Sequence, residues 1–175
     1  MWLAEMGLSE HIGPGWRGQL ARVARWHERV QALGSRDDAA MSVTTAFDYL
    51  YAFFQNCFHL RDFLEHSGGA SKAELQAFMT GNTAMAVCRD IANGTKHLKI
   101  SRPSIDPKPA ILREYHPPGW PGKKPGTSES YIVFVEDPRT EQVAPYELQE
   151  LASRCLREWE IFLRSKGLLD SPSLG

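Results

Sequence analysis

At 175 residues the chain fits one domain, with length enough to bury roughly 70% of its unfolded surface. Its composition, 42% hydrophobic and 23% charged with a formal net charge of −1, is ordinary for a globular protein and argues against a general polyanion binder, whose affinity comes from clustered Lys and Arg, while leaving room for a local basic patch. No apolar run approaches the ~20 residues that cross a bilayer. Residues 1–10 lack the basic and long apolar stretches of a secretory signal, so a cytoplasmic protein with no membrane partner is expected.

The first helix is predicted over residues 17–33, where Leu20, Val23, Trp26, Val30 and Leu33 recur at helical spacing and Gly34 closes the run. Arg17, Arg22, Arg25 and Arg29 give it a basic outer face, the usual character of a solvated helix surface. A long helix follows over residues 39–66, capped by Asp37 or Asp38 and stopped at Ser67-Gly68-Gly69. Its middle is apolar around much of the circumference, so it belongs at the centre of the domain. Shorter helices are predicted from Ser71 through Met79 and, after Asn82 or Thr83, over residues 84–93.

Beyond His97 the character changes. Pro103, Pro107 and Pro109 exclude helix. Residues 110–115 and 131–135 read as two antiparallel strands joined by a long Pro/Gly loop. Pro145 reads as a helix start, with an amphipathic helix over residues 147–166 and a frayed tail over 170–175. The expected fold class is therefore all-α: one domain over residues 1–175, a bundle of four or five helices carrying a hairpin excursion at about 108–137. Cys57, Cys88 and Cys155 are odd in number, far apart and embedded in apolar segments. They read as reduced core thiols and not as a disulfide framework or a zinc site.

Residues 88–97 carry the densest polar set, gathered around a helix end at Gly94. Arg89 and Asn93 are four apart with Asp90 adjacent. A positive φ at Gly94 would fold Thr95, Lys96 and His97 back on that end. On the long helix Asp48, Gln55, His59, Asp62 and His66 share one stripe, with Asn56 beside it. Packed antiparallel, the two helices would set His59 and Asp62 opposite Arg89 and Asn93.

Such a set suits metal-independent phosphodiester cleavage. His97 or His59 can move a proton near neutral pH, Arg89 and Lys96 can hold a phosphate, and Asp62 can orient a histidine. Asn93 and Asp90 would touch substrate. The same residues also suit a structural network, with salt bridges from Asp62 to Arg89 or Arg61 to Asp90 and His97 on a helix-end carbonyl. His59, Asp62 and His66 make a poor metal set, and no HExxH, GxGxxG, Walker-type or GxSxG motif occurs, so neither metal nor cofactor is expected. Trp120 with Lys123 and Lys124 in the hairpin loop reads either as a base-stacking platform or as a solvated turn.

The Arg89-Asp90-Ile91-Ala92-Asn93-Gly94 segment in a helical bundle resembles the HEPN superfamily, helical domains of prokaryotic defence, toxin and RNA-processing systems. So do the phrases at residues 56–64 and 93–98. The likeness covers roughly residues 39–100 and the last helix. It implies a homodimer in which an Arg and a His from each copy form a metal-independent ribonuclease site. Arg89-Asp90 matches the family's Arg-polar start, whereas seven residues separate Arg89 from His97, more than the family's spacing. Alignment on the glycine instead puts Asn93 at the His position and Cys88 at the Arg position. The resemblance thus implies an RNA-acting protein. The reading from a different class is a non-catalytic interaction or scaffold module, the partner half of a defence or toxin–antitoxin pair.

Overall fold

The computed structural model describes residues 15–35, 41–95, 103–106, 109–117, 119–123, 125–137 and 142–170. The described elements run α1 (Gly15–Ala32), α2 (Val43–His66), α3 (Lys72–Gly81), α4 (Thr83–Gly94), β1 (Ala110–Tyr115), β2 (Glu129–Asp137), β3 (Gln142–Glu147) and α5 (Leu148–Ser165). The expectation of an all-α bundle with one hairpin is overturned. The strands form a three-stranded antiparallel sheet in the order β1-β2-β3, and the fold is mixed helix and sheet.

The missed element is β3. Its Pro145 pairs opposite Phe134 and was expected to open a helix. Proline lacks the N–H for a ladder bond, which an edge strand tolerates as readily as a helix start does. β3 is such an edge, and α5 begins directly after it, with the Glu147 carboxylate accepting from Glu150 N at 2.8 Å.

α2 is the central helix. Leu50, Phe53, Phe54, Cys57, Leu60 and Leu64 are fully buried along it, against Val23 and Val30 of α1, Met85 and Val87 of α4, and Leu151, Trp159 and Leu163 of α5. Burial of side chains of this size contributes about 1.5–3 kcal/mol each, so this contact is the main stabilising layer. The N-cap of α2 is Ser42, whose hydroxyl accepts from Thr45 N. Asp37 and Asp38 lie outside the described residues. Ser71 and Glu74 form a reciprocal capping box on α3, and the Asn82 side chain caps α4 through Met85 N at 3.2 Å.

The sheet buries Tyr131, Val133 and Val135 toward the helices, with Tyr131 edge-on to Phe47 of α2. It is tied to the end of α1 at Gly34, whose φ is +74° and where a Cβ would fall 2.8 Å from the Glu129 carbonyl. Only glycine lets the two backbones approach so closely. The Gly34 carbonyl then accepts from Ser128 N at 3.0 Å. No helix among the described residues is long and apolar enough to cross a membrane.

Candidate functional site

α2 and α4 pack against each other: Gln55 Nε2 donates to Thr95 Oγ1 at 2.6 Å, and Cys88 Sγ donates to the Phe54 carbonyl at 3.7 Å. The Thr95 hydroxyl in turn donates to the Ala92 carbonyl at 2.8 Å. Gly94 does not take the positive φ expected of it. The helix continues through it, and Thr95 caps the end at φ −74°, ψ −19°. A threonine that returns its own hydroxyl to the last turn removes the need for a left-handed glycine there.

Asp90 turns inward and is 1% exposed. Its carboxylate accepts three backbone N–H bonds, from Ser104 at 2.6 Å, Ile105 at 2.7 Å and Asp106 at 3.0 Å. Asp106 repeats the device, accepting from Glu136 N of β2 at 2.8 Å. Two aspartates thereby link α4 to the sheet through residues 103–106. Bonds of this kind, to an ionised acceptor, are about twice as strong as neutral ones.

Arg89 and Asn93 stand half-buried on another face of α4, and Arg89 has no ion pair among the described residues. The salt bridges expected from Asp62 to Arg89 and from Arg61 to Asp90 are not formed. Arg61 instead pairs with its neighbour Asp62 at 3.1 Å and stacks over Phe58, with its guanidinium carbon 4.1 Å from the ring centroid. Asp62 lines a groove of about 210 Å³ between α2 and α3, with Lys72 and Gln76 across it. His59 is half-buried beside the Phe58 ring, 5.9 Å between centroids, and His66 Nδ1 donates to the Asp62 carbonyl at 2.6 Å. The polar stripe of α2 is therefore divided: Gln55 serves α4, Asn56 accepts from Gln19 of α1, and Asp62 faces α3. Lys96 and His97 lie outside the described residues.

A second polar region was not legible in the sequence. A cavity of about 330 Å³ opens where α5 begins, walled by Gln31 of α1, by the hairpin loop and by β2 and β3. Three buried polar atoms that line it have no hydrogen-bond partner among the described residues: His116 Nε2, Ser130 Oγ and Glu147 Oε1. The His116 Nδ1–H donates to the Pro117 carbonyl at 3.3 Å, which leaves Nε2 toward the cavity. Ser130 Oγ lies across the strand pair from Glu114, close enough to act on its carboxylate but outside hydrogen-bond geometry. Burial raises the Glu147 carboxyl above the usual glutamate range, partly offset by the Glu150 and Gln149 amides. Unfilled polar atoms around a hollow this size fit ordered water or a small hydrogen-bonding ligand. In the loop beside it Trp120 is 54% exposed, while Lys123 is held by Glu114 at 2.5 Å; Lys124 lies outside the described residues.

The three cysteines are free and buried, as expected, but they are not scattered. Cys57 on α2, Cys88 on α4 and Cys155 on α5 place their sulfurs within 4.8 Å of one another. Cys155 Sγ donates to the Ala84 carbonyl at 3.5 Å, and Trp159 Nε1 donates to the Cys57 carbonyl at 3.0 Å. Burial pushes the Cys88 and Cys155 thiols well up. It pushes Cys57 the same way, but the neighbouring Cys155, Cys88 and Trp159 outweigh it and bring Cys57 below its ordinary value. Each cysteine sits on the inward stripe of its helix, and this was the one sign of convergence available in the sequence.

Comparison of the chain with protein-family models, with curated proteins and with solved structures gives no match.

Proposed function

We propose that this protein binds RNA at the C-terminal end of α4, as a homodimer in a reducing cytoplasm. Arg89 and Lys96 hold backbone phosphate and Asn93 donates a hydrogen bond to substrate. The observation that carries this reading is the division of labour between neighbours. The Asp90 carboxylate is sunk into three backbone amides, so it does not neutralise Arg89, which has no ion pair among the described residues and is placed to meet an incoming anion. The catalytic form of the proposal adds metal-independent cleavage. One of His97 and His59, as general base, takes the proton of a ribose 2′-hydroxyl as it attacks the adjacent phosphate; the P–O5′ bond breaks to leave a 2′,3′-cyclic phosphate, and a histidine, as general acid, gives its proton to the departing 5′-oxygen. Asp62 orients a histidine, and Arg89 stabilises the charge that develops on phosphorus oxygens.

Cleavage of an end-labelled, mixed-sequence RNA in EDTA by the wild type, His97→Ala and Arg89→Ala tests this. Loss of cleavage in both variants, with melting temperatures within a few degrees of wild type, is the expected result. Equal cleavage by all three would refute the assignment. A second reading, a non-catalytic interaction module, is favoured by the structural use of Asp90, Gln55 and Thr95. It predicts no cleavage by any form, with a protein partner in place of RNA.

A further inference from the structure

The chain has three cysteines, and all three meet at one point in the helical core. They come from three different helices, and each is 0% exposed. Ordinary core packing needs no such convergence, since a small apolar residue fills a thiol's volume without a reactive group. An ion bound through sulfur does need it. Bonds of about 2.3 Å to one centre hold three sulfurs roughly 4 Å apart, a separation the trio reaches with small adjustments of side-chain torsions. No fourth His, Asp or Glu joins the cluster among the described residues. His27, which acts on Cys57, is bonded to Ser153 Oγ at 2.9 Å. A tetrahedral zinc site would therefore lack a protein ligand, and full burial denies it a water.

Charge then selects among soft, three-coordinate ions. Three thiolates carry three negative charges, and uncompensated charge in a closed apolar core is strongly unfavourable. A monovalent ion leaves two of those charges and a divalent ion leaves one. A trivalent ion leaves none. The groups acting on the trio from its surroundings are half-buried His27, exposed Arg154 and the Trp159 indole, too little positive charge to offset a residual anion.

The geometry points to Cys57, Cys88 and Cys155 as a buried three-thiol site for a trivalent thiophilic ion, of which arsenic(III) is the simplest probe. The step is a condensation without redox change. Arsenous acid, As(OH)₃, exchanges its three hydroxyls for three thiolate sulfurs; each thiol proton leaves with a hydroxyl as water, and three As–S bonds replace three As–O bonds.

Native mass spectrometry of the full chain with sodium arsenite tests it. The expected adduct weighs one arsenic atom less three hydrogens, at one per chain, and zinc(II) and copper(I) in equal amount do not displace it. Cys88→Ser and Cys155→Ser each abolish that adduct; a two-thiol adduct, which keeps one hydroxyl on arsenic, is the most either can form. Because the site is closed, the measurement is made both on native protein and on chain refolded with arsenite present. No three-thiol adduct in either preparation would overturn the proposal, and so would an adduct unchanged in both serine variants. Preferential retention of zinc(II) or copper(I) would overturn the charge argument and with it the assignment to a trivalent ion.

Discussion

The end of α4 and the start of α5 are both crowded with polar groups, yet they differ in how far those groups are satisfied. At the end of α4 the buried carboxylate of Asp90 is filled by three amides, and Gln55 and Thr95 bond each other. At the start of α5, His116 Nε2 and Glu147 Oε1 face a cavity with nothing bonded to them among the described residues. Polar residues whose bonds are complete hold a fold together; those left open are available to water or a ligand. Within α4 the same distinction separates consecutive residues, with Cys88 in the core, Arg89 without an ion pair among the described residues and Asp90 fully bonded.

If that contrast is right, Asp90→Ala has the largest effect. It leaves three backbone donors without their acceptor and should cost about 3–5 kcal/mol. In a chain of this size that is a fall of roughly 8–15 °C in melting temperature, read by calorimetry. A fall of a degree or two would mean that residues 103–106 hold without it. Gln55→Leu removes one partner of a single neutral bond and should cost about 0.5–1.5 kcal/mol in urea denaturation. His116→Phe removes a ring whose Nε2 has no partner among the described residues, so a change within about 1 kcal/mol is expected. A larger loss would show that the cavity atom is bonded after all, through ordered water.

The smallest effect is one of pH. Burial raises Glu147 in the folded state, so the folded chain favours its protonated form. That contribution is fully present below the ordinary glutamate range and is lost as pH rises through the raised value. Glu147→Gln, which does not titrate, should therefore compare best with wild type at neutral pH and lose ground as the pH falls. Parallel stability curves from pH 4 to 8 would contradict this.

The sequence made the helices legible because each buries a periodic stripe, and α2 stood out as central because it is apolar on several sides. β3 was hidden because Pro145 has the same local meaning at an edge strand and at a helix start. The stop at Gly94 was misread because the Thr95 hydroxyl, not the glycine, finishes the turn. Of the candidate site, the i,i+4 relation of Arg89 and Asn93 was visible. The partners of Asp90 were not, since they come from a loop whose position depends on the sheet. The thiol cluster and the α5 cavity depend on how three or more elements pack, and no local pattern in the chain encodes that.

The central claim is that Arg89 meets an anion while Asp90 holds the fold. It is tested most directly by fluorescence anisotropy of a labelled single-stranded RNA with wild type, Arg89→Ala and Arg25→Ala, the last an exposed arginine on α1. Across a salt series, Arg89→Ala should bind more weakly and lower the slope of log affinity against log salt by about one, while Arg25→Ala matches wild type. If Arg89→Ala binds with the wild-type affinity and slope, the end of α4 does not contact phosphate and the proposed function is wrong.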